Sequence, residues 1–173
     1  MSKPIFAPWR IRYILDKSKP SYDGCFMCYY GKHQEKDPEN LVVARMDHFF
    51  LALNRYPYSA GHLMLCPYRH VGSLEQLSSE ELLAMGDNLK RSQQLLQKLM
   101  QPQGFNIGLN TGEAAGAGFA DHLHFHIIPR WNGDTNFMPV VADIQVIPQA
   151  LEELREELEK IWLSPAFSEE STT

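Results

Sequence analysis

An α+β fold, in which an antiparallel sheet of about five strands carries one long helix and one C-terminal helix, is predicted by three observations. Short apolar segments rich in β-branched and aromatic residues recur between turn residues, as in "NLVVARMDHFFLALN". Leucine and methionine recur at helical spacing from Ser78 to about Gln101. Strands joined by short turns precede this helix and further strands follow it, an order that suits antiparallel pairing with helices on one face.

Residues 1 to 20 mix aromatic and basic side chains ("FAPWRIRYI") and are expected to form an irregular arm. "CFMCYYGK" reads as a turn holding two thiols. Two strands follow, broken near Met46 and Asp47, and "GHLMLCP" is a third, bounded by Gly61 and Pro67. The long helix presents Leu82, Leu83, Met85, Leu89, Leu95, Leu96 and Leu99 as its apolar set, and Ser78 with Glu81 forms a capping-box signature at its start. "GFNIGLN" is a fourth strand and residues 122–129, "HLHFHIIP", a fifth. A C-terminal helix over about 148–162 begins at Pro148, which a first helical turn tolerates, and carries Glu-to-Arg and Glu-to-Lys pairs. The polar tail 164–173 is expected to fray. No repeat is present, and residues 1–173 are read as a single domain.

Hydrophobic content of 44% and charged content of 21% are ordinary for a globular chain. The net charge of −5 argues against nucleic acid as the main partner but leaves room for a small anionic substrate at a locally positive site. No apolar run reaches the length of a membrane span, and the first residues lack a secretory core and cleavage site, so no membrane contact and a cytoplasmic location are expected. Three cysteines in such a chain suit metal binding or free thiols better than disulfides.

The segment "HLHFHIIPRW" carries the chemistry. In a strand, His122, His124 and His126 share one face while Leu123, Phe125 and Ile127 take the other. Imidazoles side by side lower one another's pKa and stay neutral near pH 7, where each can serve as nucleophile or metal ligand. Spacing alone does not choose between the two. Cys25-x-x-Cys28 is half of a tetrahedral zinc site, a redox dithiol or a buried thiol pair; partners for a metal could come from Cys66, His33, His48, His62, His70 or one triad histidine. "TGEAAGAGFAD" lacks the Gly-Lys-Ser/Thr of a Walker loop, yet Gly116, Gly118, Phe119 and Ala120 directly before the histidines can offer backbone N–H groups to an anion.

The alternating histidines, together with "LALNRYPYSAGHLMLCPYRHV" and "FNIGLNTGEAAGAGFADHLHFHIIPRWNGDTNFMPV", resemble the histidine-triad (HIT) superfamily, whose members act on nucleotide α-phosphates. The likeness covers about Trp9 to the C-terminal helix and is greatest for the diadenosine tetraphosphate phosphorylase branch. By that resemblance His124 is the nucleophile, and His126 serves the scissile phosphate or the leaving oxygen. Cys25, Cys28, His122 and the histidine of Pro67-Tyr68-Arg69-His70 would hold one structural zinc per chain; no organic cofactor is implied. Asn54 matches a ribose-binding position and Asn110 one near the phosphates, though either could simply be a turn or strand-end residue. His62 could belong to the core or the nucleoside pocket, Cys66 reads as a buried thiol, and Arg130, Trp131, Asp134 and Asn136 are expected to shape the site. Many superfamily members place Gln and Ser or Thr where this chain has Gly118 and Phe119.

The resemblance implies cleavage of dinucleoside polyphosphates through a nucleotidyl-His124 intermediate resolved by phosphate or water, in a homodimer or larger homo-oligomer. The alternatives are a nucleoside phosphoramidase and a noncatalytic nucleotide-binding or zinc-scaffold protein. An intact His124 argues against the last, because binding alone needs no nucleophile.

Overall fold

The computed structural model describes residues 24–115, 119–134 and 150–170. The N-terminal arm, Gly116, Gly118, Asn136 and Pro148 lie outside these residues. In chain order the elements are α1 (Phe26–Lys32), α2 (Asp37–Asn40), β1 (Val42–Arg45), β2 (Phe49–Leu53), β3 (Leu63–Pro67), α3 (Ser79–Met100), β4 (Gly104–Leu109), β5 (Phe125–Arg130), α4 (Leu151–Trp162) and α5 (Pro165–Glu170). Single 3-10 turns stand at Gln34–Lys36, Leu74–Gln76 and Glu113–Ala115.

The five strands form one sheet in the order β1-β2-β3-β5-β4, with every neighbouring pair antiparallel. The α+β expectation therefore holds. Alternation assigns the faces: Phe49, Leu51, Leu53, Leu63, Leu65, Phe125 and Ile127 point into a core shared with Leu95 and Leu96 of α3 and Leu154, Leu158 and Trp162 of α4. Arg155, itself buried, ties α4 to the sheet by donating from Nε to the Val42 carbonyl at 2.8 Å.

The expectation that helices cover one face alone requires correction. Val42, Phe50, Ala52, Met64 and Cys66 point the other way and are buried against Met27 and Tyr30 of α1. The "CFMCYYGK" segment is therefore a helix from Phe26 onward, and it seals the second face at the centre of the sheet, which is why β2 and β3 are buried at every position.

The long helix is capped as its sequence demands: the Glu81 N–H donates to Ser78 Oγ at 3.2 Å and the Ser78 N–H to Glu81 Oε2 at 2.8 Å. Its inward stripe differs from the apolar set. Glu81, Asn88 and Ser92 are buried, whereas Leu82 and Leu83 are exposed, 71% for Leu83. Leu83 lies about 200° around the helix from Glu81, so burying Glu81 turns it to solvent.

The triad strand is shorter than 122–129. It begins at Phe125, because the Leu123 N–H donates to the Val71 carbonyl at 2.6 Å rather than to a sheet neighbour. The C-terminal helix is seen from Leu151 to Trp162. The tail does not fray at once: residues 165–170 form α5, held by Phe167, which is 1% exposed and lies 5.6 Å from the Trp162 ring.

Candidate functional site

The histidines line up on the sheet face opposite α3 and α4. His126 is a β5 residue paired with Met64, and His124 precedes the strand with its ring 4.9 Å from that of His126. The backbone bond at Leu123 and the burial of Leu123, Phe125 and Ile127 keep the alternation going through 122–127, so the apolar residues face the helical core.

His124 is 9% exposed, and its Nδ1–H donates to the His122 carbonyl at 2.9 Å. That bond assigns the proton to Nδ1 and leaves Nε2 with a free lone pair. Burial holds the His124 pKa below the usual histidine range, against the raising effect of the same carbonyl.

His126 belongs to a second proton chain. The Tyr58 N–H donates to His62 Nδ1 at 3.1 Å, so the His62 proton resides on Nε2, which donates to His126 Nδ1 at 2.9 Å. His126 therefore carries its proton on Nε2 and can act as a donor there. Burial and the neighbouring imidazoles push His62 down to about 3, and burial with His124 pushes His126 to about 4, so both are neutral at pH 7. His62, which the sequence left undecided between the core and the nucleoside pocket, is fully buried and in direct contact with His126. The alternation could have placed it: with Leu63 and Leu65 in the helical core, His62 must share the triad's face.

Cys25, Cys28, His70 and His122 converge, with donor atoms all within 4.8 Å of one another. Cys25 caps α1 and Cys28 follows one turn later. Cys25 Sγ lies 3.2 Å from His122 Nδ1, Cys28 Sγ 3.3 Å from His70 Nδ1 and 3.4 Å from His122 Nδ1, and the two Nδ1 atoms are 3.3 Å apart. Ligand bonds of about 2.0–2.3 Å give a tetrahedron edges of roughly 3.3–3.8 Å, so these four atoms could hold a metal ion with little movement. His122 donates from Nε2 to the Pro67 carbonyl at 2.9 Å, which leaves Nδ1 free to ligate. Neither His33, His48, His62 nor Cys66 joins the set; Cys66 is buried, and burial pushes its thiol up.

The remaining expected residues are placed as follows. Asn54 Oδ1 accepts from the Tyr56 N–H at 2.9 Å, a turn-forming bond, and its Nδ2 stands 3.4 Å from His62 Nδ1. Asn110 follows Leu109, the partner of Phe125, and so stands at the level of His124. The Phe119 ring packs edge-on against Phe26 with centroids 5.3 Å apart, and Ala120 is half-buried. Arg130 forks onto Asp134 and donates to Asn106 Oδ1 at 2.8 Å, while Trp131 donates from its backbone to Asp134 Oδ2 at 3.1 Å; these bonds fix the turn after β5.

Comparison with known proteins agrees with this architecture. The HIT domain model matches residues 35–133. An AP-4-A phosphorylase of Mycobacterium tuberculosis is 43% identical over 162 residues, covering 91% of this chain and 83% of the relative. An adenosine 5′-monophosphoramidase of Schizosaccharomyces pombe is 29% identical, covering 76% of this chain and 95% of that one. Among solved structures, a Zn-bound histidine triad family protein from Mycobacterium smegmatis shares the fold with a TM-score of 0.64 at 22% identity, over 86% of this chain and 96% of its own. With the histidine row, its apolar reverse face and the surrounding sheet all in place, the chain belongs to the HIT domain family.

Proposed function

We propose that this protein is a nucleotidyl transferase that cleaves dinucleoside polyphosphates such as diadenosine tetraphosphate through a covalent intermediate on His124. The observation that carries the reading is the hydrogen bond from His124 Nδ1–H to the His122 carbonyl, which turns an unprotonated Nε2 toward substrate. In the first step Nε2 attacks the α-phosphorus, a P–N bond forms, and the bond to the leaving polyphosphate oxygen breaks. The His126 Nε2–H, oriented by the hydrogen bond that His126 Nδ1 accepts from His62, donates a hydrogen bond to that oxygen and stabilises the negative charge with which the polyphosphate leaves. In the second step an oxygen of inorganic phosphate attacks the same phosphorus, the P–N bond breaks, and ADP leaves. Water in place of phosphate yields AMP. The 43% identity to an AP-4-A phosphorylase supports phosphate as the acceptor.

Asn54 would contact ribose through the lone pair its turn leaves free, and Asn110 the phosphates. Gly116, Gly118, Phe119 and Ala120 would offer backbone N–H groups to them. The Phe119 ring supports this division: it faces Phe26, leaving the backbone as that residue's polar contribution.

The metal in this reading is zinc, which the mixed thiolate and imidazole donor set suits. Held by Cys25, Cys28, His70 and His122, it would have no position left for water and would serve to cross-link the start of α1, the segment after β3 and the triad segment. Cys25→Ser is expected to lower zinc content and melting temperature more than it changes nucleotide chemistry, by elemental analysis and calorimetry; equal zinc in both proteins removes the site.

The assembly is a homodimer formed along the β4 edge, where Asn106, Ile107 and Gly108 are exposed and Ile107 presents 40% of its surface. A monomer in analytical ultracentrifugation contradicts this. A cytoplasmic setting suits three cysteines that form no disulfide, and among the described residues no helix is long and apolar enough to cross a membrane.

Product analysis with diadenosine tetraphosphate, with and without inorganic phosphate, tests the function. ADP and ATP appearing only with phosphate support the phosphorylase, AMP and ATP regardless of phosphate make the protein a hydrolase, and no cleavage overturns the polyphosphate reading.

A further inference from the structure

The segment from Pro67, the last residue of β3, to Gly72 carries one metal donor and also holds the chain that leads to His124. The Pro67 carbonyl accepts from His122 Nε2 at 2.9 Å, and the Val71 carbonyl accepts from the Leu123 N–H at 2.6 Å. At Gly72 an added Cβ would meet the Ala120 carbonyl oxygen at 3.1 Å, so the two stretches run in close contact. His122 then offers its own carbonyl to His124 Nδ1. Where residues 67–72 sit decides where the His124 imidazole points.

Besides the backbone bond from the Tyr68 N–H to the His48 carbonyl at 2.9 Å, two side-chain anchors hold this segment beyond the strand. One is the metal donor set, through His70. The other needs no metal: Arg69 donates from Nε to Glu81 Oε1 and from Nη2 to Glu81 Oε2, each at 2.7 Å, and from Nη2 to the Gln76 carbonyl at 2.6 Å. Gln76 in turn accepts the N–H groups of Gly72 and Ser73 on Oε1 at 2.8 and 3.0 Å. An exposed ion pair between flexible side chains would fix little. Here the Arg69 side chain is 53% exposed, but the Glu81 side chain is 5% exposed and locked into the capping box of α3, and the guanidinium meets it as a fork, which sets direction as well as distance.

We propose that Arg69, gripped by Glu81, is a positioning residue for His124 that works in parallel with the metal. Either anchor keeps residues 67–72 aligned with His122 and Leu123; loss of both lets the nucleophile drift. The inference rests on the reading of His124 as nucleophile, and it explains why a residue outside the histidine row is tied so firmly to a distant helix start.

The test combines Arg69→Ala and Arg69→Lys with metal removal by a chelator in the full-length protein. Three quantities are followed: metal content, the hydrogen-bonded Nδ1 proton of His124 by NMR, and kcat and KM for diadenosine tetraphosphate. Either loss alone is expected to lower kcat by no more than about tenfold, and both together by more than the product of the single effects, on the order of a hundredfold or beyond, with KM little changed. The His124 proton signal persists with either anchor and disappears without both. Arg69→Lys, which keeps the charge but not the fork, falls between wild type and Arg69→Ala. Effects that merely multiply, a change in KM instead of kcat, or a proton signal that survives loss of both anchors overturn the proposal. If the metal-free chain unfolds, Arg69→Ala with metal bound decides: a several-fold loss of kcat at unchanged KM, partly restored in Arg69→Lys, supports the proposal, and a kcat equal to wild type overturns it. The NMR signal requires no substrate, so absence of turnover in wild type would sink the nucleotidyl-transfer reading and still leave the anchor tested.

Discussion

His62 Nε2 and His126 Nδ1 lie 2.9 Å apart, and the Tyr58 backbone N–H on the far side of His62 determines which of them carries the shared proton. The consequence is a polarised row in which His124 offers a lone pair and His126 a hydrogen-bond donor. His62→Ala is expected to lower kcat by roughly tenfold to a hundredfold with a smaller effect on KM, because it removes the partner that orients His126 without touching His124. Steady-state kinetics check this; an unchanged kcat shows that His126 needs no orientation.

The low pKa values of His62 and His126 predict a specific acid sensitivity. Above pH 6.5 both residues are neutral in folded and unfolded chains and add no pH dependence. Below it the unfolded chain takes up two protons that the folded site refuses until about pH 4 for His126 and about pH 3 for His62. Stability is therefore lost as pH falls through this window, by up to about 1.4 kcal/mol per pH unit for each residue. Urea unfolding at pH 7 and pH 5 measures the slope, and His62→Gln should flatten it.

Gly61 closes the loop that delivers His62. Its φ is +74°, and an added Cβ would lie 2.7 Å from Met100 Sδ and 3.2 Å from both Leu96 Cδ2 and Pro129 Cγ. Gly61→Ala is therefore expected to destabilise by about 1–3 kcal/mol through strain and overpacking together, read as a lower melting temperature.

Phe167 extends the helical core beyond α4. Its ring fills space against Trp162, over which Arg91 also lies at 4.1 Å from the ring centroid. Phe167→Ala should destabilise by about 3–5 kcal/mol, and a melting temperature within a degree or two of wild type would show the tail to be dispensable.

Much of this was legible in the chain, and the failures have physical causes. The capping box and the alternating segments marked α3 and the strands, because those signals arise from local backbone needs. Residue types alone could not reveal the inward turn of Glu81, Asn88 and Ser92. Their burial depends on partners distant in sequence, such as Arg69, or on local back-bonding such as Ser92 Oγ to the Asn88 carbonyl at 2.7 Å. The polar look of 164–173 hid Phe167, one aromatic residue whose cavity is built by α4. Alternation put His122, His124 and His126 on one face, and resemblance supplied the four metal donors that converge. The tie between His62 and His126 joins residues 64 positions apart and emerges only when β3 pairs with β5.

The most direct test of the central claim is to mix the protein with diadenosine tetraphosphate, quench within one turnover under mildly alkaline conditions, and map the modified peptide by mass spectrometry. An adenylyl group attached to His124, absent from His124→Ala and discharged by added inorganic phosphate, is the predicted result. Product formation with no protein-bound adenylyl group, or a group attached elsewhere, would contradict the account.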